Sequence, residues 1–124
     1  QLVRHRITSV TQKSQRFVKE NDFDYVIPKA IRNDGRALEI FLNTMEIINK
    51  AYCDLKDLNI KNEDARFLLP EACSTELIMT ANFREWRHII QLRTDKAAQW
   101  EIREVCMEIL KILKEKAPNC FLDL

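Results

Sequence analysis

The sequence predicts a mostly helical α+β domain, with long amphipathic helices packed against a few short strands. Three observations carry this. Apolar residues recur every three or four positions through two long stretches, 36–58 and from Thr94 or Asp95 up to Pro118. Only two short stretches, 23–28 and 73–82, read as extended. Finally, 124 residues with 46% hydrophobic and 31% charged side chains suffice for one folded domain with its own core and exclude disorder. A single domain, 1–124, is expected.

The elements follow in order. Residues 1–20 are polar and basic, with hydroxyl and β-branched side chains between the cations. "FDYVIP" (23–28) is a short extended segment stopped by Pro28. Asn33-Asp34-Gly35 is a turn that starts a helix. Leu38, Phe41, Leu42, Met45, Ile48, Tyr52, Leu55 and Leu58 then mark the buried face of that long helix. Asn62 is expected to cap a short helix with Glu63 and Asp64 in its first turn, ending before Pro70. "CSTELIMTAN" (73–82) is strand-like. Asn82 with Glu85 three residues on is a capping-box pattern, opening a helix to about residue 92. Thr94 or Asp95 starts the last helix, whose inner face carries Ile102, Val105, Cys106, Ile109, Leu110 and Leu113. Pro118 ends it.

Composition excludes several classes of function. No apolar run approaches the roughly 20 residues needed to span a bilayer. No signal or transit segment is visible, so the expected setting is cytoplasmic, with no membrane partner. The net charge of +1 predicts no general attraction to nucleic acid. The basic character is local: Arg4, Arg6, Lys13, Arg16 and Lys19 stand against Glu20 alone in the first twenty residues. The four cysteines form no C-x-x-C pair, and His5 and His88 are not near them in sequence, so no metal site is expected. Cys53 and Cys106 read as small buried hydrophobes. With Gly35 as the one glycine, a phosphate-cradling loop of several glycines is excluded. A phosphorylated ligand must be held by side chains and helix N-termini, and arginine suits that task.

Three constellations fit such a ligand. In the opening stretch, Arg4, Arg6 and Arg16 can each give two parallel hydrogen bonds to a phosphate, and Ser9 and Ser14 add neutral donors. The alternative is a solvated basic arm. In "TANFREWRHIIQLRTDKAAQWEI", Arg84, Arg87 and His88 share a helix face. Asn82 either caps or orients a ligand, Trp86 and Trp100 pack, and Arg93 either complements the helix dipole or aims at a ligand. Arg66 either pairs with Asp64, Glu63 or Glu71 or joins the site. No Ser-His-Asp or paired-carboxylate arrangement stands out.

"RHRITSVTQKSQR" resembles the signature of the flavin-dependent thymidylate synthases: R-H-R-x-x-S, four residues, then S-x-R. Arg4, His5, Arg6, Ser9, Ser14 and Arg16 all fall on it, and Gln1 matches a glutamine common just before it. "ARFLLP", "TANFREWRHIIQLRT" and "AQWEIRE" resemble the family's later blocks in the same order. The resemblance implies an enzyme that makes dTMP from dUMP. Methylenetetrahydrofolate is the carbon donor, and FAD reduced by NADPH is the hydride source. It also implies a homotetramer with active sites shared between subunits. By that resemblance Arg4, His5, Arg6, Gln12, Asn82, Phe83, Arg84 and His88 would contact FAD. Gln1, Arg4, Gln12, Lys13, Ser14, Gln15, Arg16 and Arg66 would bind dUMP, with Ser14 and Arg16 at its phosphate. Arg93 would lie against the uracil ring and favour ionisation at N3, so that C5 becomes a carbon nucleophile. Members commonly have Asn-Glu where this chain has Thr11-Gln12, a frequent Tyr where it has Phe17, and in some cases Asn where it has His88. They are also longer, so this chain is expected to be their carboxy-terminal portion. A non-catalytic assembly module is the second reading, and a small helical nucleic-acid binder the third.

Overall fold

Backbone hydrogen bonding in the computed structural model organises the chain as β1 (Ser9–Gln12), α1 (Lys29–Arg32), α2 (Gly35–Asp57), α3 (Asn62–Ala65), β2 (Leu77–Thr80), α4 (Phe83–Arg93), α5 (Trp100–Lys116) and α6 (Pro118–Phe121). Short 3-10 turns cover Leu2–Arg4 and Arg66–Leu68. The structure describes residues 1–16 and 22–124; Phe17, Lys19 and Glu20 lie outside the described residues. The mostly helical α+β class is as the sequence predicts, with β1 and β2 paired as a two-stranded antiparallel sheet. The chain divides into two compact units, Gln1–Thr11 with Ile78–Leu124, and Gln12–Leu77.

The first unit is centred on α4 and α5. Ile89 and Ile90 of α4 meet Ile102 and Cys106 of α5, and Leu2, Met79, Trp86, Ile109, Leu110 and Leu113 close around them. These positions follow the three- and four-residue spacing of the sequence, which puts them on facing stripes of two helices. α6 buries Phe121, whose ring meets Phe83 edge to face at 5.5 Å.

The second unit is built on α2, which buries Met45 and Tyr52. Phe23, Tyr25 and Phe41 form a run of edge-to-face aromatic contacts at 6.2 and 5.7 Å. The 23–28 segment is extended but makes only an isolated antiparallel bridge, Tyr25 to Cys73. Both ends of α2 are chemically closed. Asp34 accepts from the Ala37 N–H at 2.9 Å. At the far end Asn59 adopts a φ of 60°. The Ile60 N–H reaches Leu55 O at 3.1 Å and the Asn59 N–H reaches Lys56 O at 2.9 Å, a Schellman closure.

Several expectations are corrected. Asn62 does not cap α3: Lys61 stands at the cap, without a side-chain cap bond, and Asn62 is the first helical residue. The predicted 73–82 strand shortens to Leu77–Thr80, and its partner Ser9–Gln12 lay unseen in the polar amino-terminal stretch. Neither Thr94 nor Asp95 starts α5. The Thr94 hydroxyl donates back to Ile90 O at 2.8 Å, and the Asp95 carboxylate accepts from the Ala97 N–H at 2.8 Å, so both are used locally. Gln99 caps instead, accepting from the Glu101 and Ile102 N–H groups at 2.9 and 3.1 Å. Pro118 ends α5 as expected, since Ala117 before it leaves the helical region, and it also opens α6, where its missing N–H costs nothing. Leu58, expected on the buried face of α2, is 72% exposed, and Cys53 is only partly buried, whereas Cys106 is fully buried.

Candidate active site

Arg93 is the last residue of α4, where the helix ends beside the amino-terminal turn. Its guanidinium donates from Nε to His5 Nε2 at 3.0 Å, from Nη2 to Gln1 O at 3.1 Å and from Nη1 to Gln1 Oε1 at 3.4 Å. The cation is thereby held in one orientation. As a cation in the last turn of α4 it also complements the helix dipole, one of the two sequence readings.

His5 is the buried member of this group, 5% exposed. Its backbone is fixed by its own N–H to Leu2 O at 3.0 Å and by Thr8 Oγ1, which donates to His5 O at 2.5 Å. Glu85 Oε1 lies 3.7 Å from His5 Nδ1. The His88 ring stands edge-on at 5.9 Å. Burial pushes the His5 pKa below that of an ordinary imidazole, the Arg93 cation pushes it the same way, and the Glu85 carboxylate opposes them. Glu85 completes only half of the predicted capping box. Asn82 Oδ1 accepts from the Glu85 N–H at 2.8 Å, while the Glu85 carboxylate faces His5.

Arg4, Arg6 and Arg84 are exposed, and their side chains make no hydrogen bond or ion pair with the described residues. Phe83 is 51% exposed and lines a shallow depression with Arg84, Arg87 and the α6 residues Asn119 and Cys120. Arg87 shares that depression but is committed elsewhere. It grips Asp123 with two parallel bonds of 2.6 and 2.5 Å and also donates to Cys120 O. Cys106 is fully buried; burial raises its thiol pKa, and the Arg93 cation opposes that shift.

The second unit carries a separate polar depression. Gln12, Lys13, Ser14, Gln15 and Arg66 line it together with Cys73 and Thr75. Gln12 Nε2 donates to Thr75 Oγ1 at 3.1 Å, and Lys13 N–H donates to Glu76 O at 2.8 Å. Gln15 Nε2 lies 3.8 Å from Cys73 Sγ. The Ser14 hydroxyl accepts from the Arg16 N–H at 3.4 Å. Arg16 pairs with Glu63 at 3.4 Å, a contact across exposed side chains that water screens. Arg66 donates from Nε to Glu63 O at 3.2 Å, so its partner is a backbone carbonyl and none of the three expected carboxylates.

The structure thus brings Gln1 and His5 onto the Arg93 guanidinium in the first unit, with Glu85 and His88 beside His5. It collects Gln12, Lys13, Ser14, Gln15 and Arg66 along one depression in the second. Glu85 was missed as a member of the first group. Its place in a capping box was the only signal, and that signal pointed to the backbone.

Guanidinium, amide and hydroxyl donors are groups suited to an anionic organic ligand. The comparisons sharpen that class. Residues 1–119 match the family model described as thymidylate synthase complementing protein. The chain is similar to the flavin-dependent thymidylate synthase of Geobacter sulfurreducens, 42% identical over 99% of this chain and 54% of that protein. It is 42% identical to the enzyme of the same name from Nitratidesulfovibrio vulgaris, over 98% of this chain and 53% of the relative. It is 40% identical to that of Pyrococcus abyssi, over 94% and 49%. The chain belongs to the thymidylate synthase complementing protein family, and it spans about half the length of the curated relatives it matches.

Proposed function

We propose that this chain is the carboxy-terminal portion of a flavin-dependent thymidylate synthase, and that it holds dUMP with Arg93 against the uracil ring. The reaction is the conversion of dUMP to dTMP, with methylenetetrahydrofolate as carbon donor and NADPH as reductant. The observation that carries this reading is the fixed Arg93 guanidinium, bonded to His5 and Gln1. A cation oriented before the ligand arrives costs no reorganisation when negative charge develops beside it. Charge at uracil N3 and its neighbouring carbonyls is of that kind, and stabilising it makes C5 nucleophilic.

The polar depression of the second unit supports the same reading. Ser14, Lys13, Gln15 and Arg66 supply hydroxyl, ammonium, amide and guanidinium donors, the set a nucleotide phosphate and ribose require, with Arg16 and Gln12 alongside. The donor set also fits a flavin dinucleotide. Arg4, Arg6 and Arg84 present guanidinium groups with no ion-pair partner among the described residues, suited to a pyrophosphate, and Phe83 presents a half-exposed ring. His5, Asn82, His88 and Gln12 complete the flavin-side set that the family resemblance implies. FAD, when bound, would supply the hydride that completes the methyl group. The family resemblance carries with it a homotetramer in the cytoplasm.

Tritium release from C5-labelled dUMP tests the role of Arg93 in the whole protein that contains this chain. Arg93→Ala is expected to lower release by about 100-fold or more, the loss typical of a fixed charge-stabilising donor. Release at the unsubstituted rate would overturn the assignment.

A further inference from the structure

We propose that His5 and Glu85 form a positioning pair for Arg93: the His5 ring is neutral with its proton on Nδ1 toward Glu85, leaving the Nε2 lone pair to accept the Arg93 Nε–H. The geometry admits one arrangement. Arg93 Nε carries only a donor, so the nitrogen 3.0 Å away must accept. In a neutral imidazole the other nitrogen then holds the proton, and that nitrogen is the one facing Glu85 Oε1 at 3.7 Å. At this distance Glu85 acts by its field and not by a formed hydrogen bond. Its side chain is 11% exposed and that of His5 3%, so the field is poorly screened.

The ionisable side chains facing His5 are Arg93, Glu85 and His88, all from α4. A second proton on the ring would set an N–H against the Arg93 N–H and bring two cations together. Protonation therefore releases Arg93. The folded ring titrates below its ordinary value of 6.5, so the stability it contributes is present above that value and is lost as pH falls through the lowered pKa. Neither residue need touch a reacting atom; both act through Arg93. Only the consequence for turnover rests on the proposed function.

The test is nitrogen NMR of the His5 ring in the whole protein that contains this chain, assigned with His5→Gln. The expected result at pH 7 is a bare, pyridine-type Nε2 and a protonated Nδ1. A proton on Nε2, or a doubly protonated ring at pH 7, overturns the proposal. Glu85→Gln is expected to lower the His5 pKa further, because the carboxylate is the one neighbour that raises it; an unchanged or higher pKa removes Glu85 from the pair. In the whole protein, His5→Leu is expected to reduce kcat for dUMP by about 100-fold, as for a small displacement of a charge-stabilising group, while His5→Gln recovers most of it through an amide acceptor. Equal activity of both variants and the parent contradicts the positioning role. The expected tautomer in a protein that releases no tritium from dUMP would overturn the proposed function and leave the pair standing; the opposite result would do the reverse.

Discussion

Two arginines on α4 have opposite fates. Arg87 spends its guanidinium on Asp123 and the Cys120 carbonyl, and ties the carboxy-terminal residues to the helix. Among the described residues Arg93 meets acceptors only on His5 and Gln1, and no carboxylate hydrogen bond offsets its charge. Sequence spacing placed Arg87 on a ligand face with Arg84 and His88. Its true partner lies 36 positions away, a separation over which no helical period operates. The Arg87 pairing holds the Asp123 carboxyl well below its ordinary 3.8, at about 2. The folded value is depressed, so this contribution is present above pH 3.8 and is lost as pH falls through about 2. Carbon NMR of the Asp123 carboxyl should show that low midpoint, and Arg87→Ala should return it to the ordinary carboxylate range. An unchanged midpoint in the variant would mean that some other group holds the carboxyl.

At the scale of elements, legibility followed the strength of the period. The apolar positions of α2 run through six turns, and the predicted 36–58 differs from the observed Gly35–Asp57 by one residue at each end. α4 was equally plain, because Asn82 caps it as expected. The start of α5 was not, since Thr94 and Asp95 both have cap chemistry but spend it on adjacent turns, leaving the role to the less usual Gln99. β1 was illegible for a different reason. "SVTQ" has no apolar face to bury, and only its pairing with β2 makes it a strand. The α2 cap gives a direct test. Asp34→Ala removes the acceptor for the Ala37 N–H and should cost about 1 kcal/mol in urea unfolding with an unchanged m-value. A loss below a few tenths would mean that water replaces the cap.

At the scale of the whole molecule, the sequence conveyed the family through ordered motifs, while the structure supplied what motifs omit. "RHR" does not reveal that its histidine turns inward to Arg93 while both arginines remain exposed. Nor does it reveal that the amino-terminal run divides, with Gln1–Thr11 in one compact unit and the Gln12 to Arg16 stretch in the other. The proposed function assigns flavin and dUMP binding to residues of each unit. The most direct test is the visible absorbance of the purified chain titrated with FAD and then with dUMP. The account predicts a bound-flavin band that shifts when dUMP is added, with the shift lost in Arg93→Ala. No flavin uptake at saturating FAD, or a band indifferent to dUMP, would contradict it.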